Sequence, residues 1–458
     1  MAGQLTCFKA YDIRGVVPTE LNEDLAYALG RAYAQEVRPA GPVAVGRDVR
    51  LSSPGLAAAL IRGLNEAGVD TCDIGQCGTE MVYFAAARPG MGGGIMVTAS
   101  HNPREYNGMK LVRAAAVPIS GDSGLPALER RVRTGRVGRL SRHRGADRCE
   151  DVLGAYVAKV LSFVDVKALK PFRVVANAGN GCAGPVLEAL RPHLPFDMIL
   201  MHESPDGTFP NGVPNPLLEE NRGATSRAVL AAGADLGVAW DGDFDRCFFF
   251  DETGGFVDGY YLVGLLAAHL LRAVPGARII HDPRMTWNTV DVVRAAGGIP
   301  LQGKTGHAFM KERMRAEDAL YGGEMSAHHY FRDFAYCDTG MIPWLVLSAV
   351  LSGTDRRLSA LIRERRALFP GSGEVNRRVA APDQVIARAR TMYAPLATRT
   401  EWMDGLSMEF GGRWRFNLRR SQTEPILRLN VESRGDPELM RRSTEDLLRL
   451  MVDPDGQG

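Results

Sequence analysis

One layout occurs three times along the chain and restricts the folds that the chain can adopt. Each copy opens with an apolar run, passes through a loop rich in Gly, Asp or Asn, and continues with helical periodicity. The copies lie at 42–64, 172–190 and 277–296. Alternating strands and helices of this kind predict parallel, doubly wound α/β domains. Sequence identity between the copies is low, so the layout repeats while the residues do not.

Each copy is followed by two further strand-like runs, and the last of them ends in a polar loop. The first of these runs are 69–74, 197–201 and 299–301. The last runs are 94–97, which leads to Ser100, 236–240, which leads to Asp241, and 318–321, which leads to Glu324. Because ligands collect at the carboxyl ends of the strands in such sheets, we expect the three loops to face one central cleft.

The last part of the chain has a different pattern. Short strand-like runs and a closing helix predict a smaller α+β domain, with elements at 407–410, 414–418, 426–431 and 437–451. The arginine-rich segment 135–148 is the best linker candidate. The chain is therefore predicted to form three similar doubly wound α/β domains and a smaller C-terminal α+β domain, with limits at 1–146, 147–250, 251–368 and 369–458.

Composition excludes several classes of protein. The 458 residues include 55 basic and 53 acidic ones, for a net charge of +2, which argues against a nucleic-acid or membrane-surface partner. No apolar stretch reaches the roughly 18 residues that a membrane span needs, and the N-terminus has no signal-peptide core. The seven cysteines are scattered without a Cys-x-x-Cys pair. We therefore expect neither disulfides nor a zinc site, and a cytoplasmic location.

The segment Thr98-Ala-Ser-His-Asn-Pro103 places a serine hydroxyl at the end of an apolar strand. Ser100 is flanked by Thr98 and by His101, a possible proton donor. A serine becomes a nucleophile only with a base, a metal or a strong electrophile beside it. No Gly-x-Ser-x-Gly elbow surrounds it, which disfavours an acyl-transferring hydrolase. Taken alone, the segment also fits a polar strand-to-loop turn.

The second loop alternates carboxylates at Asp241, Asp243 and Asp245. Three hard oxygen ligands at this spacing suit one Mg²⁺ ion. A calcium-binding EF-hand loop is the main alternative, with Glu252 at its twelfth position. However, Arg246 replaces the glycine that such a loop requires, and the following apolar run predicts a strand rather than a helix. A solvated acidic turn is the other alternative.

The third and fourth loops carry groups that suit a sugar and a phosphate. Glu324, Ser326 and His328 alternate, so an extended chain would point all three toward the same sugar hydroxyls; zinc binding by His328 and its neighbour is disfavoured. Further on, an arginine is clustered with hydroxyls at 419–423, which is typical of an anion site. A turn rich in Ser and Thr explains that cluster equally simply.

Together these loops predict phosphoryl transfer to or from a sugar phosphate. The chain has no Gly-x-x-x-x-Gly-Lys-Ser/Thr loop, so ATP is not the expected donor. The phosphoryl group is then expected to reside on the enzyme itself. A phosphatase that uses the same serine and a non-catalytic sugar-phosphate sensor are the two rival classes.

The four loops, in this order and over nearly the whole chain, resemble those of the α-D-phosphohexomutase family. Further matching stretches are 9–15, 107–110, 303–307 and 324–338. Two positions depart from the family pattern. Phe244 stands where many relatives have glycine, and Gln422 stands where asparagine is usual. Within the family the chain is similar to bacterial members that act on mannose phosphates, several of which also accept glucose phosphates.

The resemblance implies a reaction in which phosphorylated Ser100 donates its phosphoryl group to O6 of mannose 1-phosphate. The resulting 1,6-bisphosphate turns over and returns its other phosphoryl group to Ser100, giving mannose 6-phosphate. Reversal of this reaction supplies GDP-mannose synthesis, and a glucose-specific or dual-specificity mutase is the alternative. The implied cofactors are Mg²⁺, with glucose 1,6-bisphosphate or mannose 1,6-bisphosphate as activator.

The resemblance also assigns roles to residues. The metal ligands are Asp241, Asp243, Asp245 and a phosphate oxygen on Ser100. The candidates for proton transfer, which remain unranked, are His101, Lys110 and Arg14. Substrate binding falls to the sugar-binding residues Glu324, Ser326 and His328, the phosphate-binding residues Tyr11, Arg419, Ser421, Gln422 and Thr423, and the further contacts Arg246, Arg284 and His307. The partner is a phosphohexose, and the chain is expected to be a monomer or a dimer.

Overall fold

The computed structural model describes residues 5–421 and 426–451. Its strands, in chain order, are β1 Ile13–Val16, β2 Val43–Arg47, β3 Thr71–Gln76, β4 Gly93–Val97, β5 Tyr106–Arg113, β6 Asp147–Cys149, β7 Arg173–Asn177, β8 Asp197–Met201, β9 Leu236–Trp240, β10 Cys247–Phe250, β11 Phe256–Val257, β12 Arg278–His281, β13 Ile299–Gln302, β14 Tyr321–Gly323, β15 His329–Phe331, β16 Cys337–Asp338, β17 Val375–Arg378, β18 Arg399–Glu401, β19 Leu406–Phe410, β20 Trp414–Arg420 and β21 Ile426–Ser433. Its helices are α1 Glu23–Val37, α2 Ser53–Glu66, α3 Thr79–Ala87, α4 Leu125–Arg133, α5 Leu153–Leu161, α6 Ala183–Leu190, α7 Gly223–Ala232, α8 Gly259–Ala273, α9 Trp287–Ala295, α10 His307–Glu317, α11 Met341–Ser352, α12 Leu358–Leu368, α13 Pro382–Tyr393 and α14 Pro437–Leu450.

The chain forms two compact units, each made of several segments. The first comprises 1–256, 306–318 and 326–355, and the second comprises 257–305, 319–325 and 356–458. No helix within the described residues is both long enough and apolar enough to cross a bilayer.

The first unit contains two mixed sheets that match the predicted α/β layout. One has the strand order β1-β5-β4-β2-β3-β6, in which β2 pairs in parallel with β3 and β4 while β5 runs antiparallel to β4. In the other sheet β7 pairs in parallel with β8 and β9, and β10 returns antiparallel to β9. Strands β4 and β9 are buried along their whole length, as expected for strands covered on both faces.

Strands β4, β9 and β14 each lead directly into the predicted polar loop, but the predicted start of the third strand is wrong. Strands β4 and β9 end directly before the Ser100 and Asp241 loops, as expected. The run 318–321 is not a strand, since Asp318 ends helix α10 in a left-handed conformation with φ 46°. Strand β14 therefore begins only at Tyr321. Strand β6, Asp147–Cys149, overlaps the end of the predicted linker 135–148 and pairs in parallel with β3. The linker and the four domain limits stay predictions.

The second unit contains a parallel ladder and an antiparallel sheet. Strand β12 pairs in parallel with β13 and β14. The other strands form an antiparallel sheet with the order β17-β21-β20-β19-β18, and α13 and α14 cover its apolar core. This is the α+β arrangement predicted for the end of the chain.

A buried carboxylate joins these two parts of the second unit. Glu432, on β21, is fully buried. It accepts hydrogen bonds from the backbone amides of Thr286 at 2.6 Å and Trp287 at 3.1 Å, at the start of α9. Arg415 forms an ion pair with it at 2.7 Å, and the Tyr260 hydroxyl donates to it. A buried charge is stable only when it is paired in this way.

Candidate active site

Ser100 lies in a tightly held loop at the end of β4. Its side chain is 2% exposed, and its backbone has φ 51°, in the left-handed region. Its Oγ donates a hydrogen bond to Asp241 Oδ2 at 2.7 Å and lies 3.0 Å from His101 Nδ1. Its amide donates to Thr98 Oγ1 at 2.9 Å. The hydroxyl therefore faces the first carboxylate of the acidic loop, 141 residues further along the chain.

The acidic loop follows β9 and gathers three buried carboxylates. Asp241, Asp243 and Asp245 each offer an oxygen, and these oxygens lie within 4.8 Å of one another. Asp243 Oδ1 and Asp245 Oδ1 are buried and accept no hydrogen bond from the described residues. Buried carboxylate oxygens without a partner are costly, and two such oxygens beside the Asp241 carboxylate match the ligand preference of a hard divalent cation. The residues present therefore fit a metal ion.

Lys110, on β5, supplies positive charge to the same carboxylates. Its Nζ lies 2.8 Å from Asp243 Oδ2 and also contacts Asp245 Oδ2. Burial favours the neutral carboxyl of Asp243, but Lys110 and a hydrogen bond from Thr79 outweigh it and hold the pKa of Asp243 below its ordinary value. Burial and the nearby charge of Asp243 raise the pKa of Asp245. Burial lowers the pKa of Lys110, but the two carboxylates outweigh it and raise that pKa above its ordinary value.

His101 and Arg246 complete the surroundings of the serine hydroxyl. The Arg246 guanidinium donates to Asp241 Oδ2 at 2.8 Å, contacts His101 Nδ1, and lies 3.5 Å from Ser100 Oγ. Burial and the charge of Arg246 lower the pKa of His101 well below its ordinary value. Because Nδ1 faces a guanidinium donor, hydrogen bonding assigns the unprotonated state to that nitrogen. His101 is thus neutral and presents a lone pair, not a proton, near Ser100.

Two close approaches shape the acidic loop. A Cβ at Gly242 would lie 2.7 Å from the Ser100 carbonyl oxygen, so only glycine lets the two loops approach this closely. Phe244 is fully buried with φ 43°. Its ring fills the space beside Gly78, where an added Cβ would lie 2.1 Å from Phe244 Cε1. The aromatic side chain at this position therefore packs against the residue that precedes α3, which carries Thr79.

Tyr11 and His307, which are both predicted to bind substrate, lie in contact. Their rings lie edge to face with centroids 4.9 Å apart, and the ring of His328 stacks 6.5 Å from that of His307. Burial and the ammonium of Lys311, 3.3 Å from His307 Nδ1, lower the pKa of His307 well below its ordinary value. His307 Nε2 is buried and has no hydrogen-bond partner among the described residues.

The extended conformation expected for 324–328 is wrong. The chain turns at 325–326, and Ala327 has φ 71°, in the left-handed region. Side chains of Glu324, Ser326 and His328 therefore do not share a face through simple alternation. Ser326 Oγ and His328 Nδ1 lie 3.3 Å apart, and His328 Nε2 lies 3.8 Å from Asp245 Oδ1.

In the second unit, three arginines surround one carboxylate. Glu374 lies 2.8 Å from Arg419, 3.3 Å from Arg284 and 3.1 Å from Arg428. Burial alone raises the pKa of Glu374, but the three guanidinium groups outweigh it and lower that pKa to about 2. Ser421, the neighbour on the predicted phosphate loop, is buried. Arg284 also pairs with Asp282 at 2.7 Å and Arg419 with Asp404 at 3.6 Å, so each of these two guanidinium groups contacts two carboxylates.

Replacing Glu374 by Gln is expected to destabilise the protein in a pH-dependent way. A pKa near 2 in place of 4.5 corresponds to about 3 kcal/mol of folding free energy. That contribution is fully present above about pH 4.5 and is lost as the pH falls toward 2. Urea unfolding of wild type and E374Q at pH 7, 4.5 and 3 measures the free energy of unfolding of each. The difference between the two proteins should become smaller as the pH falls.

The matched control is Glu364→Gln, which removes a solvent-exposed carboxylate from its ion pair with Arg356. Exposed pairs contribute about 0–1 kcal/mol, so this variant should stay near wild type at each pH. If E374Q lowers the free energy of unfolding by the same amount at pH 3 and pH 7, the assignment of the stabilising charge to Glu374 is contradicted.

The predicted residues fall into two groups according to the unit that holds them. Those of the first unit are Tyr11, Arg14, Ser100, His101, Lys110, Asp241, Asp243, Asp245, Arg246, His307, Ser326 and His328, and those of the second are Arg284, Glu324, Arg419 and Ser421. In the second unit, burial lowers the pKa of Arg284, but the carboxylates of Asp282, Glu374 and Glu324 outweigh burial and raise that pKa above its ordinary value. Gln422 and Thr423 lie outside the described residues.

Sequence analysis missed several residues that contact the site. Thr79 and Glu374 contact predicted residues but belong to no recognised motif. Asp48 and Arg50 follow the end of β2, at the same edge of the sheet as the Ser100 loop. Because ligands collect at the carboxyl ends of parallel strands, the position of Asp48 and Arg50 directly after a buried strand could have indicated that they contact the site.

Family models match most of the chain. Residues 5–136, 154–255 and 258–369 match alpha/beta/alpha domains I, II and III of phosphoglucomutase/phosphomannomutase. These matches confirm the predicted α/β fold class. They also confirm the resemblance that the four loops indicated.

Similar proteins cover the chain almost completely. A phosphomannomutase from Salmonella montevideo is 55% identical over 453 residues, which is 98% of this chain and 99% of the relative. A protein of Xanthomonas campestris pv. campestris described as "Phosphohexose mutases" is 54% identical over 98% of this chain and 99% of its own length. The crystal structure of a phosphoglucomutase/phosphomannomutase family protein from Burkholderia thailandensis is 34% identical, with a TM-score of 0.88 over 100% of this chain and 99% of that one. The chain is thus a member of the phosphoglucomutase/phosphomannomutase family of α-D-phosphohexomutase enzymes.

Proposed function

We propose that the chain is a phosphomannomutase that interconverts mannose 1-phosphate and mannose 6-phosphate through a phosphoserine at Ser100 and a 1,6-bisphosphate intermediate. The observation that best supports this is the position of Ser100 Oγ, 2.7 Å from Asp241 Oδ2 beside two further buried carboxylates. Relatives named phosphomannomutase at this level of identity support the mannose substrate. The unpaired cysteines fit a reaction in the reducing cytoplasm.

The reaction consists of two phosphoryl transfers that balance each other. In the first, the bond between phosphorus and Ser100 Oγ breaks and a bond between phosphorus and sugar O6 forms, while the O6 proton passes to a base and Ser100 Oγ takes up a proton. In the second, the phosphoryl group on O1 moves to Ser100 Oγ, which gives up its proton to a base, and sugar O1 takes up a proton. After both transfers Ser100 is phosphorylated again and the sugar carries one phosphate, as at the start. The reaction therefore consumes no nucleotide.

Asp241, Asp243 and Asp245 are the residues that would hold Mg²⁺, together with a phosphate oxygen on Ser100. When bound, the ion supplies positive charge that stabilises the oxygens of the transferring phosphoryl group. Arg246 adds a guanidinium 3.5 Å from Ser100 Oγ. We assign to Arg246 the task of orienting the phosphoryl group, since a planar guanidinium matches phosphate oxygens two at a time.

Among the three candidates for proton transfer, we favour His101. Lys110 is held as a cation by two carboxylates. Arg14 donates to Asp12 at 2.8 Å and to Asn102 at 2.6 Å, and acidic neighbours raise its pKa against the effect of burial. His101 alone of the three is neutral, and its Nδ1 lies 3.0 Å from Ser100 Oγ. It is the group able to accept a proton at that oxygen once Arg246 releases Nδ1.

Replacing His101 by Asn is expected to lower kcat about 100-fold, the lower range for removal of a general base. Because Asn retains a polar side chain of similar reach, the KM for mannose 1-phosphate should change little. Steady-state kinetics of wild type and H101N with saturating Mg²⁺ measure both. The matched control is His143→Asn, at an exposed histidine outside the site. A wild-type kcat in H101N would leave proton transfer to another group.

The substrate's other phosphate is assigned to Arg419 and Ser421, with Gln422 and Thr423 as further members of the same loop and Tyr11 and Arg284 as additional contacts. Glu324, Ser326, His328 and His307 are assigned to the sugar hydroxyls. The place of Arg419 in the arginine cluster around Glu374 supports the first assignment, because guanidinium groups bind phosphate oxygens in pairs. Glucose 1-phosphate is the second candidate substrate, and the family description phosphoglucomutase/phosphomannomutase supports it.

The decisive experiment measures isomer formation and phosphate release from the same sample. Wild type is incubated with mannose 1-phosphate, Mg²⁺ and a trace of glucose 1,6-bisphosphate, and mannose 6-phosphate and inorganic phosphate are followed together. Isomerisation with negligible phosphate release is the expected result. Stoichiometric phosphate release would identify a phosphatase instead. Parallel assays with glucose 1-phosphate give the ratio of kcat/KM values, and a ratio favouring glucose would overturn the mannose assignment.

A further inference from the structure

Arg50, seven residues after the start of β2, contacts the backbone of the Ser100 loop and is 1% exposed. Its Nη2 donates to the carbonyl oxygens of Ser100 at 2.9 Å and Asn102 at 2.6 Å. Its Nη1 donates to the carbonyl oxygens of Pro103 at 2.7 Å and Tyr106 at 2.8 Å. One guanidinium thus binds four carbonyl groups of a single loop.

This use of an arginine differs from that of Arg246. Both terminal nitrogens of Arg50 are occupied by carbonyl oxygens, and its Nε lies 3.3 Å from Asp48 Oδ2. The ring of Phe209 covers the guanidinium at 5.5 Å. Arg50 is therefore unavailable to a substrate phosphate, and any effect on the reaction acts through Ser100.

Asp48 holds the same loop from its other side. Its carboxylate accepts hydrogen bonds from Thr98 Oγ1 at 2.7 Å and Ser53 Oγ at 2.6 Å. Thr98 Oγ1 in turn accepts the amide of Ser100. The amide and the carbonyl of Ser100 are thus both fixed, one through Thr98 and Asp48 and the other by Arg50.

Fixing both groups matters because Ser100 has a left-handed backbone with φ 51°. Non-glycine residues keep such a conformation only where surrounding contacts enforce it. Rotation of this backbone to a common conformation would swing Oγ away from Asp241. We infer that Arg50, with Asp48, is a positioning residue that holds Ser100 in its left-handed conformation, so that Oγ faces Asp241; the catalytic consequence rests on the proposed mutase function.

The test compares Arg50→Lys and Arg50→Gln with Arg47→Gln as the matched control. Arg47 lies on the same strand and pairs with Asp73 at 2.8 Å, and none of the described hydrogen bonds of the Ser100 loop involve it. Lysine keeps the charge but cannot reproduce a planar fork of donors. We expect kcat to fall about 10-fold in R50K and about 100-fold in R50Q, the scale of a small misplacement of reacting groups. KM should stay within about twofold of wild type, and R47Q should behave as wild type.

A second readout is independent of catalysis. Amide hydrogen exchange of the 98–106 segment reports whether the loop has loosened. Faster exchange there in R50Q, with unchanged exchange in β2 and β4, supports the inference, whereas unchanged exchange at 98–106 overturns it. A kcat within twofold of wild type in R50Q also overturns it, as does faster exchange spread over the whole first unit.

The two proposals fail in distinguishable ways. If wild type does not isomerise mannose 1-phosphate, the proposed function fails, and the exchange pattern alone decides the role of Arg50. If wild type isomerises and R50Q equals it, only the positioning role fails. If R50Q does not fold, R50K decides by the same criteria.

Discussion

Replacing Ser100 by Ala is expected to reduce mutase turnover by at least about 10⁴-fold, because loss of a nucleophile removes the covalent route altogether. The fold should persist, since the hydroxyl makes hydrogen bonds only within the polar site and the loop keeps its backbone contacts with Arg50. Steady-state kinetics with mannose 1-phosphate measure the loss. Intact-mass analysis after incubation with glucose 1,6-bisphosphate should show one added phosphoryl group in wild type and none in S100A.

The matched control for this variant is Ser226→Ala. Its hydroxyl donates to the Gly254 carbonyl oxygen at 2.7 Å in a turn outside the site. S226A should retain wild-type turnover and phosphorylation. Phosphorylation of S100A to the wild-type level would move the phosphoryl carrier to another residue, and turnover above about 1% of wild type would reject a covalent role for Ser100.

Replacing Asp243 by Asn is expected to lower kcat about 1,000-fold at saturating Mg²⁺, since a neutral amide replaces one of three anionic ligands. The Mg²⁺ concentration for half-maximal activity should also rise. Binding of Mn²⁺ to the unphosphorylated protein, followed by electron paramagnetic resonance, measures the metal site without turnover. The Mn²⁺ affinity should fall by more than about 10-fold, since a loss of that size is usual even when a residue that only hydrogen-bonds to a metal ligand is replaced.

Asp251→Asn provides the control, because Asp251 lies after β10 and accepts hydrogen bonds only within its own turn in the described residues, from Thr253 and Gly255. Asn is tolerated in such turns, so D251N should match wild type in both measurements. Unchanged Mn²⁺ affinity in D243N would remove Asp243 from the metal site, whatever the effect on turnover.

The parts of the fold and site that the sequence predicts are those encoded locally. The buried runs that became β4 and β9 are followed at once by their polar loops, so the positions of Ser100 and Asp241 could be inferred from strand ends. The spacing of Asp241, Asp243 and Asp245 within five residues is also local. Their convergence on one cation site needs only the conformation of a single turn.

The remaining features depend on contacts between distant residues or on unusual backbone conformations. Arg50 binds carbonyl groups about fifty residues away along the chain. Because every residue has a backbone carbonyl, the sequence does not show which ones an arginine will bind. The sequence does not indicate the left-handed φ of Ala327, since alanine rarely adopts one. For that reason the prediction of an extended conformation for 324–328 was wrong. The predicted strand at 318–321 was wrong for the same reason, because the left-handed conformation of Asp318 ends α10 where an apolar run suggested a strand.

The burial of Glu432 bears on how this chain can be divided for protein engineering. Because its carboxylate accepts hydrogen bonds from the amides of Thr286 and Trp287, a fragment that starts at residue 369 would carry this acid without those donors. Such a fragment keeps the ion pair with Arg415 but leaves the rest of the carboxylate's hydrogen bonds unmade, and we expect it to express poorly. Chimeras with related mutases should therefore transplant 257–305 together with the terminal sheet.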